Sequence, residues 1–231
     1  NCAYATIVSA ATRAAVRSAL GTAAEDVIAV PDLCGLAARR DPRLATAAAA
    51  PHLSIIACHP RAVQWLFAWA GAPLDMQRTT LYNMRTQSSD EILAGLCLPL
   101  DVTTPIPEPA HDGEWVPWFP VIDRERCVNC RQCASFCVFG VYSITADGSV
   151  EVTNPDRCKN NCPACARMCP QVAIIFPKCP DEPINGTAVS PDDVRRRQVE
   201  TLSARLDQQP DIHALLAQRR HRSSPKAEGA S

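Results

Sequence analysis

Eight of the thirteen cysteines in this 231-residue chain fall in one stretch at short, regular gaps. They read Cys127-x2-Cys130-x2-Cys133-x3-Cys137 and then Cys158-x3-Cys162-x2-Cys165-x3-Cys169-Pro170. Three thiolates at such gaps can wrap three corners of one iron–sulfur cube, while a fourth cysteine one helical turn later points away and serves the other cube. That logic assigns Cys127, Cys130, Cys133 and Cys169 to cluster I, and Cys158, Cys162, Cys165 and Cys137 to cluster II. Two [4Fe–4S] clusters and one-electron chemistry are the expectation.

Other uses of cysteine fit less well. Zinc ribbons can employ eight cysteines, but seldom three packed this closely with a fourth on the following turn. Thirteen is an odd number, and disulfide frameworks belong to short secreted chains. The triplet Cys158-x3-Cys162-x2-Cys165 also matches radical S-adenosylmethionine enzymes. Those leave one iron open, whereas Cys137 is at hand to close it, and the barrel of about 200 residues they need is absent. Cys179 stands outside both sets and reads as a small buried thiol.

The elements around these cysteines repeat. Val121-Ile-Asp-Arg-Glu-Arg-Cys127 returns as Val152-Thr-Asn-Pro-Asp-Arg-Cys158, and each is followed by three more cysteines and an apolar run, 141–144 and 172–176. Two similar halves imply a pseudo-twofold unit. With eight spaced cysteines and an internal repeat, residues 121–180 resemble the dicluster bacterial-type ferredoxins. Two departures are visible: Val138 replaces the usual proline after Cys137, and one extra residue separates Cys158 from Cys162.

The rest of the chain divides around this segment. The expected fold class is α+β: a small α/β domain at 1–98, a proline-rich linker at 99–120, the ferredoxin-like dicluster domain at 121–180, and a helical tail at 181–231. In the first part, residues 27–30, 54–58 and 79–83 are β-prone, residues 10–20 are rich in helix formers, and Pro60 suits the first turn of a helix through 62–70. Ser88 or Ser89 can cap a helix over 90–96. Such alternation predicts a layered α/β unit with a short parallel sheet. Six prolines between 99 and 120 exclude a helix there, and Trp115 and Trp118 are expected to pin the linker to a neighbouring domain. Ser190-Pro191-Asp192-Asp193 begins a tail helix, a second short helix is expected at 212–216, and the composition beyond 222 is that of disorder.

Cys2, Cys34, Cys58 and Cys97 are spread too widely for spacing to define a site. Cys34 and Cys58 each follow a predicted strand, at the sheet edge where ligands gather in open α/β folds. A third iron–sulfur cluster held by these four cysteines is one reading; ordinary buried core cysteines are the other. Residues 1–90 resemble the cysteine-containing N-terminal domain of the A-type subunit of heterodisulfide reductase. The resemblance runs through Cys34-Gly35, Ile55-Ile56-Ala57-Cys58-His59-Pro60 and Tyr82-Asn83-Met84-Arg85-Thr86-Gln87. Asn1-Cys2-Ala3-Tyr4 and Cys58-His59-Pro60 are similar to the delta subunit of methyl-viologen-reducing hydrogenase. The reductase pattern asks for a cysteine after Gln87, where Ser88 stands, so that Cys97 would substitute.

Charge is balanced, with 23 basic against 24 acidic residues, which favours neither nucleic acid nor an anionic membrane. Residues 195–197 and 219–222 are the basic runs and read as solvated helix faces. With no Gly-x-Gly, the flavin and nicotinamide fingerprint is absent, and no run of about 18 apolar residues is available to span a bilayer. These features predict a cytoplasmic electron-transfer subunit whose partners are the flavin, hydrogenase or heterodisulfide-reductase-like subunits of a larger redox complex. The alternative is an oxidoreductase whose N-terminal domain binds a flavin or a special cluster and reduces a thiol or disulfide.

Overall fold

The computed structural model describes residues 2, 7–21, 27–96, 106–107, 109 and 115–207. It is an α+β fold of helices and small sheets. Helix α1 (Ala10–Leu20) starts where Ser9 accepts the Thr12 N–H. Strands β1 (Leu53–Ala57) and β2 (Thr79–Asn83) pair in parallel, Leu53 opposite Thr79 and Ala57 opposite Asn83. The crossover that a parallel pair requires is helix α4 (Pro60–Trp69), which opens on proline and buries Ala62, Val63, Leu66 and Phe67 along one stripe. Helix α5 (Ser89–Leu96) carries a capping box: Ser88 Oγ accepts the Glu91 N–H while Glu91 accepts the Ser88 N–H.

Between α1 and β1 the sequence expectation needs correcting. Residues 27–30 are not a strand, so the parallel sheet has two strands. Cys34 therefore does not follow a strand; it lies inside helix α2 (Leu33–Ala38), which Asp32 caps by accepting the Gly35 N–H at 3.0 Å. β-propensity counts for little without a neighbouring strand to pair with, and the local cap prevails. Helix α3 (Pro42–Ala48) was also unforeseen, although Asp41-Pro42 is a start signal of the same kind.

The second region follows its repeat. β3 (Val121–Ile122) pairs antiparallel with β6 (Ile174–Ile175), and β4 (Tyr142–Ile144) with β5 (Val150–Val152). The first strand of each half thus pairs with the last strand of the other. Short helices α6 (Gln132–Phe136) and α7 (Ala164–Arg167) hold the third closely spaced cysteine of each half, Cys133 and Cys165. Helix α8 (Pro191–Asp207) opens with Ser190 accepting the Asp193 N–H. Its Thr201 is buried, while Val199 and Leu202 are exposed. The helix expected at 212–216 and the end beyond 222 lie outside the described residues.

One apolar core joins the two regions. Leu36, Ala37, Ala62, Val63 and Leu66 pack with Phe119, Val121 and Ile175. Both tryptophans of the proline-rich segment are anchored: Trp115 stacks on Phe119 of that core at 6.2 Å between ring centroids, and Trp118 is buried in a second apolar cluster, 5.5 Å from Phe176. Arg61 on α4 crosses the same boundary. Its Nε donates to Asp123 Oδ2 at 2.7 Å, its Nη2 to the Val172 carbonyl at 2.6 Å and its Nη1 to the Pro183 carbonyl at 3.3 Å. Val172 holds φ +52° there, an uncommon conformation for a β-branched residue.

Candidate iron–sulfur site

Cys127 and Cys130 on the loop entering α6 and Cys133 in its first turn line one pocket together with Cys169, which comes from the opposite half of the repeat. Apolar walls from Ile122, Val150, Ala173 and Ile174 complete it. This is the grouping expected of cluster I.

The second set is also mutual. Cys162 and Cys137 are the thiols that act on Cys158, and Cys158 and Cys137 act on Cys165. Burial pushes the Cys133, Cys158 and Cys165 thiols up to about 12, with neighbouring thiolates adding to the rise. Cys158 and Cys165 resist ionising side by side unless a cation offsets their charge, and a coordinating metal does that outright. The donor set therefore suits iron. Among the described residues no three such side chains converge to hold a single metal ion; ligands of a four-iron cube stand farther apart than those of one ion.

Local backbone aims these thiols. The residue before the second cysteine of each half is asparagine at positive φ, Asn129 at 52° and Asn161 at 59°, a conformation asparagine tolerates better than most residues. The match locates the extra residue of the second half between Cys158 and Asn161. Sequence reading missed both asparagines, though their shared place in the repeat was the available signal. Donors reach sulfur, among them Tyr142 Oη–H to Cys165 Sγ at 3.1 Å and the Ala173 N–H to Cys169 Sγ at 3.3 Å. Around the set, Val128, Phe136, Val138 and Phe139 are exposed, as is Cys130. Cys179 is 1% exposed and packs beside Cys165 and Cys169.

The N-terminal cysteines are only partly accounted for. Cys2 forms an antiparallel bridge with Asp32, Cys34 lies two residues beyond Asp32, and Cys58 follows the carboxyl end of β1. Cys2 and Cys58 both act electrostatically on Cys34, and burial pushes Cys58 up to about 11. Cys97 lies outside the described residues. At this site stands Lys178, whose Nζ donates to Asp32 Oδ1 at 2.8 Å with both side chains 3% exposed. Burial acts to lower its pKa, but Cys34, Asp32 and Cys2 outweigh it and hold the ammonium protonated. Next to Cys58, His59 is buried against Asn83 at 3.0 Å, and burial lowers its pKa to about 4. Nothing local in the sequence announced Lys178, which lies 144 positions beyond Cys34.

No family model matches the chain. Similarity to curated proteins covers 27% of it. An uncharacterised ferredoxin of Methanocaldococcus jannaschii is 49% identical over 63 residues, 42% of that protein's length. The pyruvate synthase subunit PorD of the same organism is 36% identical over 62 residues, 70% of its length. A second uncharacterised ferredoxin from that source is 35% identical over 68 residues, 87% of its length. Thus the chain spans less than half of the first of these relatives and most of the other two.

Proposed function

The chain belongs to the ferredoxins through its repeat segment, and from that premise we propose that it is an electron-transfer subunit of a cytoplasmic oxidoreductase complex carrying two [4Fe–4S] clusters. The observation that carries this reading is the pocket closed by Cys127, Cys130 and Cys133 from one half of the repeat and Cys169 from the other. Cluster I takes those four ligands, and cluster II takes Cys158, Cys162, Cys165 and Cys137. Bound there, each cluster supplies a one-electron couple.

The chain's own residues set the conditions for that couple. Apolar walls keep water from the buried thiols, and the donors from Tyr142 and Ala173 spread charge off sulfur, which raises potential. Cys130 and its exposed apolar neighbours mark the side open to a partner. PorD, a pyruvate synthase subunit, offers a precedent for a ferredoxin segment that serves within an enzyme. The partners here are subunits of flavin, hydrogenase or heterodisulfide-reductase-like type, and the capped α8 with its exposed Val199 and Leu202 is docking surface for them. Among the described residues no helix is long and apolar enough to cross a membrane.

We extend the reading to a third iron–sulfur cluster at Cys2, Cys34 and Cys58, for which sequence named Cys97 as the fourth ligand. Iron and acid-labile sulfide in anaerobically purified protein test both levels. About eight irons corresponds to two cubes and about ten to twelve to two cubes with a further N-terminal cluster; a chain purified with fewer than about eight loses the dicluster reading itself.

A further inference from the structure

We propose that the fourth ligand of the N-terminal site is the carboxylate of Asp32, making it a three-cysteine, one-aspartate iron–sulfur site. This rests on the third-cluster reading above and names a ligand that reading lacks. Asp32 is the residue that brings the thiols together: it bridges to Cys2 through the backbone and caps the helix that carries Cys34. Cys58 joins from the end of β1, packed against the same apolar core that buries Cys34.

The two carboxylate oxygens are unequal. Oδ1 accepts from the Gly35 N–H at 3.0 Å and from Lys178 Nζ at 2.8 Å. Oδ2 is buried and has no hydrogen-bond partner, on a side chain only 3% exposed. A buried carboxylate oxygen without a donor is costly, and a cation offsets that cost. Iron is a fitting one because cysteines flank this residue: Cys2 pairs with Asp32 through the backbone and Cys34 lies two residues beyond it. Lys178 takes part without competing: it occupies Oδ1, leaves Oδ2 free, and sets one positive charge against the negative charge of three thiolates and a carboxylate.

The geometry also explains how Ser88 can stand where the resembling pattern asks for cysteine. A local carboxylate makes that thiol dispensable.

The test uses the full chain, purified anaerobically, with iron and sulfide content and electron paramagnetic resonance of the oxidised and dithionite-reduced forms. Parent protein with about eight irons defeats the third-cluster reading, and this inference with it. If the parent holds about ten to twelve, the ligand question separates cleanly. Asp32→Asn keeps a side chain able to cap α2 but removes the ligand charge; it is expected to lose about one to four irons. Asp32→Cys restores a ligand, and is expected to keep all the iron with an altered resonance signal. Cys97→Ser is expected to change neither. Full iron in Asp32→Asn, an unaltered signal in Asp32→Cys, or lost iron in Cys97→Ser would each overturn the assignment. Should either Asp32 variant fail to fold because Lys178 loses its partner, the double variant Asp32→Asn/Lys178→Met carries the same test: lost iron supports the assignment and full iron overturns it.

Discussion

The two cysteine groups of this protein are built on opposite plans. In the repeat segment all eight thiols fall within residues 127–169, and short turns with asparagines at positive φ carry the aim. At the N-terminal site the thiols come from residues 2, 34 and 58, and a lysine from residue 178 is brought up beside them by the tertiary fold. The first plan writes its chemistry into spacing. The second gathers its cysteines only through packing, with the shared core and the Lys178–Asp32 pair around them. What separates the two groups is how much of the molecule must be folded before the ligands meet.

The sharpest break between the two plans is expected from Cys137→Ala. It should remove the cluster of Cys158, Cys162 and Cys165, about four irons, and spare the one held by Cys127, Cys130, Cys133 and Cys169. Mössbauer or resonance spectra showing the reverse loss would undo the crossed assignment. Next comes Arg61→Ala, which leaves Asp123 buried without its cation and should cost about 3–5 kcal/mol. Because the core is continuous, calorimetry should then show both regions melting together at a lower temperature; two separate transitions would mean that the regions are independent.

Cys58→Ser addresses the N-terminal plan directly. Iron should fall by about a third, and hydrogen exchange should loosen residues 53–96, since ligation couples metal to local folding. A core cysteine without a ligand role would instead cost about 1–3 kcal/mol and leave iron untouched. Smaller still is Tyr142→Phe, which deletes one donor to Cys165. The cluster held by Cys165 should drop in potential by about 20–60 mV, the one-electron equivalent of a hydrogen bond of about 0.5–1.5 kcal/mol. The other cluster should hold its value in the same redox titration. Asp41→Ala is the control: it removes the cap of α3 for about 1 kcal/mol and should leave every iron in place, separating general destabilisation from ligand loss.

How much could be read beforehand follows the same division. The limits of α1 and β2 and the start of α4 on Pro60 are local facts of sequence, and they stand in the structure where they were expected; the spacing of the eight cysteines is equally local. The residues at 27–30 misled because a β-branched run needs a partner strand and finds none, while Asp32 starts a helix close behind. Lys178, Asp32 and Arg61 were invisible for a further reason. A charged residue looks solvated in sequence, and only packing shows it buried against a partner 62 or 146 positions away.

The Arg61 contact has a consequence for symmetry. A twofold unit is ambivalent: each half presents the same approach to a visitor, and current could enter or leave by either. Here the equivalence is broken at one letter of the repeat. Asp123 receives Arg61, whereas its counterpart Asn154 turns inward to the Gly140 carbonyl at 2.9 Å. The N-terminal region thereby seats on the first half of the repeat at Asp123, while the matching position of the second half is spent on a contact inside the repeat, so that a duplicated unit acquires two unlike faces.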